Sequence, residues 1–119
     1  MNGRRNKYGN QKQNGFDSKK EERRYDHLRY QELKGEITDL RRQVSFELLP
    51  TQREPDRIGP RGGKIPGKVI ERPATYIADF TYYKDGELVV EDCKGYKTAD
   101  YRLKKKMLLY FKGIRIKET

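Results

Sequence analysis

An alternation of apolar and polar residues with a period of two predicts strands that bury one face against a core. In the second half of residues 37–49 the apolar positions are Val44, Phe46 and Leu48. Pro50 ends this run, because proline removes the backbone donor that a strand needs. We therefore predict a first strand that finishes just before Pro50.

Two further alternating runs, residues 75–83 and 88–94, are separated by a short segment with Asp85 and Gly86 at its centre. An Asp-Gly pair between two such runs favours a tight turn, so the two runs are predicted to form a hairpin. With Asp85 and Gly86 as the turn residues, counting outward fixes which residues of the two strands face each other.

A first helix is predicted to begin after Phe16, because Ser18 is followed three residues later by Glu21 in the pattern of a capping box. The helix should run to about Lys34. Gly35 is suited to end it, since glycine adopts the left-handed conformation found after many helices.

A second helix is predicted from Ala99 to Lys112, with Thr98 as its cap and Gly113 after its end. We expect its three lysines at 104–106 to lie mostly outside the buried stripe. The stripe itself is predicted to consist of Leu103, Met107, Tyr110 and Phe111.

The remaining parts of the chain complete the predicted fold. Ile114 and Ile116 alternate with basic residues in a short last strand, so the element order is α, β, β, β, α, β. Residues 16–119 are thus predicted to form one α/β domain, a mixed sheet flanked by helices.

Residues 1–15 have almost no apolar residues and predict a basic flexible arm. The Pro/Gly-rich segment 51–73 is too punctuated for a helix or a central strand and predicts a mobile basic loop.

The chain has 119 residues and a formal net charge of +10. Each Lys or Arg placed on a phosphate releases condensed counterions, so this charge favours a polyanionic partner. Nucleic acid is the preferred partner. A ribosome-associated or membrane-surface role fits the charge too, but no basic helix with a large apolar face accompanies it.

One cysteine, Cys93, and one histidine, His27, exclude an internal disulfide and argue against a zinc centre. No apolar run is long enough to span a bilayer, and no signal-peptide core follows Met1. We therefore expect a soluble, cytoplasmic protein.

The hairpin register places two carboxylates, Asp79 and Asp92, directly opposite each other. Like charges at such a spacing, about 5 Å between Cβ atoms, are destabilising, and a divalent cation would resolve the conflict. Lys94 points to the same face as Asp92, because the two are separated by one residue. The opposite face is predicted to carry Glu91, Cys93, Ala78, Phe80 and Tyr82.

Oxygen ligands without Cys or His favour a hard ion, Mg²⁺ or Mn²⁺. On the first helix Glu21 shares an inward stripe with Tyr25 and Leu28, whereas Glu22 lies on the solvent side. Glu21 is therefore a candidate third ligand, although its place in the capping box explains its spacing without any metal. The ammonium of Lys94 is placed to orient an attacking water or to offset charge in the transition state.

Asp79 on one strand and Asp92-Cys93-Lys94 on the next resemble the signature of the PD-(D/E)XK nuclease superfamily, whose core is αβββαβ. Ala78 stands in place of the proline of that signature, and Asp92 stands where glutamate is more frequent. The runs 16–21, 76–80 and 90–95 are, more closely, similar to a family of small phage-encoded proteins of unknown function within this superfamily. The resemblance covers most of the chain from Phe16 to Ile116.

The resemblance implies a Mg²⁺-dependent DNA endonuclease in which Glu21, Asp79 and Asp92 hold the metal and Lys94 completes the catalytic cluster. It also implies branched DNA, such as a Holliday junction, as the substrate. Symmetric cleavage of a junction needs two sites, and hence a homodimer. The alternatives are a DNA-binding module that no longer cuts and a general nuclease for linear DNA. Contacts to DNA are expected from Arg61, Lys64, Lys97, Lys104 and Lys105.

Overall fold

The computed structural model describes residues 18–119. Residues 1–17, and with them the predicted basic arm, lie outside the described residues. The elements in chain order are α1 (Lys19–Leu33), β1 (Thr38–Leu49), β2 (Gln52–Arg53), β3 (Arg57–Ile58), β4 (Lys64–Ile65), β5 (Val69–Glu71), β6 (Ala74–Lys84), β7 (Glu87–Asp92), α2 (Ala99–Lys112) and β8 (Ile116–Glu118).

The main sheet has four strands in the order β1-β6-β7-β8. The pairs β1–β6 and β6–β7 are antiparallel, and β8 lies parallel to β7 after the crossover through α2. Apart from the short strands β2 to β5, the order of elements is α, β, β, β, α, β, as predicted. The protein is therefore a mixed α/β protein with a four-stranded mixed sheet and two helices.

The predicted hairpin is formed by β6 and β7. Asp85 and Gly86 have φ values of 52° and 79°, the left-handed conformations that a tight hairpin turn requires. Lys84 pairs with Glu87 on either side of the turn, so the register counted from the sequence is confirmed. The strand β7 ends at Asp92, two residues earlier than predicted.

Both helices begin at the caps predicted from the sequence. The hydroxyl of Ser18 accepts a hydrogen bond from the backbone N–H of Glu21 at 3.1 Å, and Thr98 accepts one from Tyr101 at 3.1 Å. Gly113, with φ of 66°, ends α2. Local sequence therefore determines where the helices start and where α2 stops.

The buried face of α2 differs from the predicted stripe. Its buried residues are Tyr101 and Leu108, and the ring of Tyr101 packs on Tyr76 of β6 with 6.4 Å between ring centroids. Residues 107–111 are all apolar or aromatic, so periodicity alone does not identify the inward face. The prediction is wrong at three positions that are more than half exposed: Leu103, Tyr110 and Phe111.

Two apolar clusters cover opposite faces of the sheet. Val90 of β7 packs with Tyr101 and Leu108 of α2, whereas its neighbour Val89 packs with Leu28 of α1. Successive residues of a strand point to opposite faces, so the two helices lie on opposite sides of β7.

Strand β6 contributes residues of the same parity to both clusters, which a regular strand does not do. Tyr76 and Ala78 lie in the cluster on the α2 side, whereas Phe80 and Tyr82 lie in the cluster on the α1 side. The alternation therefore changes face at Asp79. The prediction that Ala78 shares a face with Phe80 is wrong for this reason.

Strand β1 changes face at the neighbouring position. Leu40 packs against the α1-side cluster and Phe46 against the α2-side cluster. Gln43 lies between them with φ of 51°, and Asp39 has φ of 55°, both unusual for residues other than glycine. These two irregular positions break the alternation of β1, which is why the sequence pattern predicts only the second half of the strand.

Residues 52–71 form a projecting two-stranded ribbon, here called the ribbon arm. Strand β2 pairs with β5, and β3 pairs with β4 inside them. The tip is closed by a hydrogen bond of 2.7 Å from the backbone N–H of Gly59 to the carbonyl of Gly63. The Pro/Gly-rich segment thus holds four short strands outside the main sheet where a loop was predicted, because short antiparallel pairs form between its prolines and glycines. As predicted, it holds neither a helix nor a central strand.

None of the helices in the described part of the chain is long and apolar enough to cross a membrane.

Candidate active site

The two predicted acids meet where the alternation of β6 changes face. The hairpin register, which pairs Phe80 with Glu91, places Asp79 opposite Asp92 one step further on. Asp92 has only 1% of its surface exposed. The backbone N–H of Cys93 donates to Asp79 Oδ2 at 2.9 Å, so the Asp79 side chain takes the position of a strand partner where β7 ends.

Proximity and burial change the ionisation of this pair. Burial, together with the neighbouring Asp92 carboxylate, raises the pKa of Asp79 to about 7, and Glu21 acts in the same direction. The hydrogen bond from Cys93 lowers the pKa of Asp79, but by less than burial and Asp92 raise it. Asp79 therefore stays partly protonated at neutral pH unless positive charge is added to the site.

The two oxygens of Asp92 have different surroundings. Oδ2 accepts a hydrogen bond from the hydroxyl of Tyr76. Burial, and then the bond to Asp92, raise the pKa of Tyr76, so its hydroxyl stays a donor. Oδ1 is buried and accepts no hydrogen bond from the described residues, although Lys94 Nζ lies 3.4 Å away. The ion pair with Lys94 offsets part of the cost of burying Oδ1, and this oxygen keeps the capacity to accept a further ligand.

Lys94 follows the end of β7, and its side chain is 31% exposed. Its Nζ lies 4.7 Å from the ring centroid of Tyr101, in the geometry of a cation–π contact. The Tyr101 hydroxyl donates to Glu118 of β8 at 2.7 Å, which holds the ring in place. The ammonium is therefore positioned between Asp92 and an aromatic face while it remains accessible from solvent.

A cleft of about 270 Å³ opens beside Lys94 on the α2 side of the sheet. It combines two ammonium groups and several hydroxyl groups, which suit a phosphate, with one carboxylate, Asp100, which pairs with Lys104 at 3.4 Å. Its lining includes Thr75, Tyr76, Lys94, Thr98, Tyr101 and Lys104.

Glu21 reaches the acid pair through a residue that the sequence pattern did not indicate. Glu21 lies on α1 and has 4% of its surface exposed. The side-chain amide of Gln43 lies 3.4 Å from Glu21 Oε2 and 3.5 Å from Asp79 Oδ1, so it bridges the two acids. Gln43 gave no signal in the sequence, because it lies where the period-two pattern of β1 fails.

A metal ion would have to be held by the Asp79–Asp92 pair. Within residues 18–119 there is no group of three or more His, Cys, Asp or Glu side chains arranged to hold one. Magnesium, however, is commonly bound by one or two carboxylates, with waters and substrate phosphates as its other ligands. The pair and the unbonded Asp92 Oδ1 fit that requirement. The role of Glu21 as a third ligand stays a prediction.

Glu91 lies next to Asp92 in sequence but on the α1 side, as predicted. It is fully buried and pairs with Arg24, whose Nη2 donates to Oε2 at 3.0 Å. The hydroxyls of Tyr82 and Thr119 donate to the same carboxylate at 2.6 and 3.2 Å. Burial raises the pKa of Glu91, but the bonds from Arg24 and Tyr82 outweigh it and leave the pKa below its ordinary value. Glu91 is therefore a structural acid.

Most of the basic residues predicted to contact DNA form ion pairs within the chain. Surface ion pairs of this kind are weak, so they do not prevent these side chains from contacting phosphates. The DNA contacts stay a prediction. The pairs are Lys64 with Asp56 at 3.7 Å, Lys97 with Glu118 at 3.0 Å, Lys104 with Asp100 at 3.4 Å and Lys105 with Glu118 at 3.2 Å.

Fold and site together define a mixed α/β protein with two opposed carboxylates and a lysine at the end of a central strand. The chain belongs to the DUF1064 family of proteins of unknown function, which matches residues 5–117. Comparisons with curated proteins and with solved structures give no match. The predicted resemblance to a family of unknown function is thus confirmed, and membership of the PD-(D/E)XK superfamily stays a prediction.

Proposed function

We propose that the protein is a Mg²⁺-dependent endonuclease that hydrolyses phosphodiester bonds in DNA at the Asp79–Asp92 pair. The observation that carries the proposal is Asp92 Oδ1, which is buried beside Asp79 and Lys94 and accepts no hydrogen bond from the described residues. A sheet under selection for stability alone would avoid two directly opposed carboxylates, because like charges in that position repel each other. A divalent cation would satisfy both acids and could take a substrate phosphate as a further ligand.

Asp79 and Asp92 are the residues that would hold the ion. An ion held there would supply positive charge that favours the ionised form of Asp79, and its chemistry would be to polarise the phosphate and to lower the pKa of a bound water. The Tyr76 hydroxyl fixes Asp92 through Oδ2, which leaves Oδ1 available. The side-chain amide of Gln43, which lies 3.5 Å from Asp79 Oδ1, restrains Asp79.

Lys94 is the residue that would act on the reacting groups. Its ammonium lies 3.4 Å from Asp92 Oδ1 and borders the cleft. From there it would orient the attacking water or offset the negative charge that develops on the phosphoryl oxygens. Its contact with the ring of Tyr101 limits its movement, and such preorganisation lowers the reorganisation needed during the reaction.

The choice of DNA as substrate rests on the charge of the chain, +10, and on the sequence resemblance. The preference for branched DNA and the homodimer rest on the resemblance alone and stay predictions. A single cleavage experiment addresses the reaction and the substrate together.

The experiment measures cleavage of linear duplex, flap and four-way DNA with Mg²⁺ by the wild type and three variants. Asp92→Asn and Lys94→Ala should reduce the rate by about 10²- to 10³-fold, because each removes a group that stabilises the transition state. Asp85→Asn is the matched control: it also removes one carboxylate, but in the exposed hairpin turn, and should cleave as the wild type does.

The outcomes separate the possible functions. Binding of DNA by the wild type without cleavage in Mg²⁺ or Mn²⁺ would refute the enzyme and leave a DNA-binding module. Equal rates on linear and four-way DNA would indicate a general nuclease. Faster cleavage of the junction would support the predicted resolvase activity.

A further inference from the structure

We infer that the ribbon arm, residues 52–71, is a groove-binding element that holds duplex DNA near the Asp79–Asp92 pair. The inference rests on the proposed function for the choice of DNA as the partner, but it concerns a part of the molecule outside the candidate active site. The charge, the exposure and the internal structure of the arm support it.

The outer part of the arm is purely cationic. Residues 57–68 contain four basic residues and no acidic one. Asp56, which directly precedes them, accepts a hydrogen bond from the N–H of Gly67 at 3.0 Å, and its other oxygen lies 3.7 Å from Lys64 Nζ in an exposed, weak ion pair. A surface of this composition favours a polyanion. The four basic residues, all exposed, are Arg57, Arg61, Lys64 and Lys68.

The strands β3 and β4 expose both of their faces. Arg57 pairs with Ile65, and Ile58 pairs with Lys64, so each face has one cation beside one aliphatic side chain. All four are exposed, and Ile58 has 74% of its surface exposed. A two-stranded ribbon is only marginally stable alone. The major groove of B-DNA, about 12 Å wide, admits such a ribbon, with aliphatic groups against base edges and cations near phosphates.

The two chains of the ribbon arm are closely packed at residues 53–54 and 67–68, here called the base of the arm. Gly67 is buried, and Arg53 donates to its carbonyl at 3.0 Å. The N–H of Glu54 donates to the carbonyl of Lys68 at 2.8 Å. A Cβ atom at Gly67 would lie 1.7 Å from the carbonyl oxygen of Glu54, so only glycine allows the two chains to approach so closely. The base of the arm therefore has a defined shape, as a groove-binding element requires.

The arm is attached close to the candidate active site. The chain enters β6 at Ala74, five residues before Asp79. Along a strand this is about 17 Å, or roughly five base pairs of B-DNA. One duplex is therefore long enough to contact both the arm and the acid pair.

The first test removes the charge of the arm. Binding of a labelled duplex is measured by fluorescence anisotropy in EDTA, so that cleavage plays no part. The arm variant replaces the four basic residues at 57, 61, 64 and 68 by Gln. The control variant removes the same charge from four exposed positions elsewhere, namely Arg23, Lys84, Lys112 and Arg115.

At about 0.1 M salt the arm variant should lose at least about tenfold in duplex affinity, and the control less than about threefold. The slope of log K against log salt concentration should become shallower by about 2 to 4 in the arm variant, because each lost phosphate contact contributes roughly 0.9. The thermal unfolding midpoint of both variants should stay that of the wild type, since all replaced side chains are exposed.

The second test changes the shape of the arm without changing its charge. Gly67→Ala forces the two chains at the base apart and should lower duplex affinity by about tenfold. Gly63→Ala is the matched control, because a Cβ atom there meets nothing within 4 Å. It should bind as the wild type does.

Equal losses in the arm and control variants, or equal affinities of Gly67→Ala and Gly63→Ala, would overturn the inference about the arm and leave the proposed nuclease intact. Absence of binding by the wild type to any DNA would overturn both. A loss confined to the arm variant and to Gly67→Ala supports the groove-binding arm.

Discussion

Glu91 and Asp92 are consecutive residues of β7 that are equally buried, with 0% and 1% of their surfaces exposed, yet their surroundings are opposite. On the α1 side, Glu91 pairs with Arg24 and accepts hydrogen bonds from two hydroxyl groups. On the α2 side, Asp92 faces Asp79, and one of its oxygens accepts no hydrogen bond from the described residues.

This difference marks Glu91 as a carboxylate that serves the fold and leaves Asp92 as the carboxylate available to the proposed ligand. A buried acid is tolerated when its lone pairs are satisfied, and Glu91 meets that condition through three donor residues. Asp92 accepts a hydrogen bond only at Oδ2, whereas Oδ1 has the ammonium of Lys94 at 3.4 Å as its counter-charge. The two faces of one strand therefore separate stability from the proposed chemistry.

The largest expected effect is on the structural side. Arg24→Ala leaves Glu91 buried without its cation and should lower the free energy of unfolding by about 3 to 5 kcal/mol in urea denaturation. The matched control is Lys34→Ala, which breaks the exposed pair with Glu36 and should cost less than about 1 kcal/mol. Similar losses in the two variants would show that the buried pair contributes no more than a surface pair.

A pair of tyrosine variants compares the two acids directly. Tyr76→Phe removes the donor to Asp92, and Tyr82→Phe removes a donor to Glu91. Each should lower the free energy of unfolding by about 1 to 2 kcal/mol, because a buried acceptor loses its partner. Only Tyr76→Phe should also slow DNA cleavage, by about tenfold. A comparable slowing in Tyr82→Phe would contradict the separation of the two faces.

The ionisation of Asp79 predicts a dependence of stability on pH. Its pKa of about 7 in the folded protein lies above the value near 4 of an unfolded aspartate. The folded state therefore retains a proton that the unfolded state releases, and this group lowers stability as the pH rises from about 4 to about 7. Asp79→Asn removes that decline and, without metal, should be more stable than the wild type at pH 8. The difference of about 3 between these two pKa values sets an upper bound of about 4 kcal/mol, and the partial exposure of Asp79 lowers the expected gain to about 1 to 2 kcal/mol.

Urea denaturation in EDTA at pH 5 and pH 8 measures this effect. The advantage of Asp79→Asn over the wild type should be larger at pH 8 than at pH 5. An advantage that does not change with pH would contradict the raised pKa.

The smallest expected effect concerns the bridge between Glu21 and Asp79. Gln43→Gly relieves a left-handed backbone but removes the bridging amide, whereas Asp39→Gly relieves the same kind of backbone without touching the site. Both should change the free energy of unfolding by less than about 1 kcal/mol, because relief of strain offsets the flexibility of glycine. Only Gln43→Gly should slow cleavage, by about fivefold. Equal cleavage rates in both variants would exclude a positioning role for the amide.

Much of the architecture follows from local sequence. The Asp85-Gly86 turn fixes the hairpin register, and Ser18 and Thr98 fix where the helices begin. These signals are short-range, so one sequence suffices to interpret them. Because the turn residues alone set the register, the sequence also predicts that Asp79 lies opposite Asp92.

The features that the sequence did not predict depend on tertiary packing. The change of face at Gln43 and Asp79 requires two strands to be irregular at neighbouring positions, and no local pattern encodes it. The inward face of α2 is decided by Tyr101 packing on Tyr76. Period-two alternation therefore predicts neither the position of Gln43 in the site nor the position of Ala78 on the α2 side.

The central claim is that the Asp79–Asp92 pair is a Mg²⁺ site of a nuclease, and calorimetric titration of Mg²⁺ into the protein at pH 8 tests it most directly. The wild type and the control Asp85→Asn should bind the ion, and Asp92→Asn should bind it at least about tenfold more weakly. Equal affinities of Asp92→Asn and the wild type, or no binding of Mg²⁺ by the wild type with or without a DNA duplex, would contradict the claim.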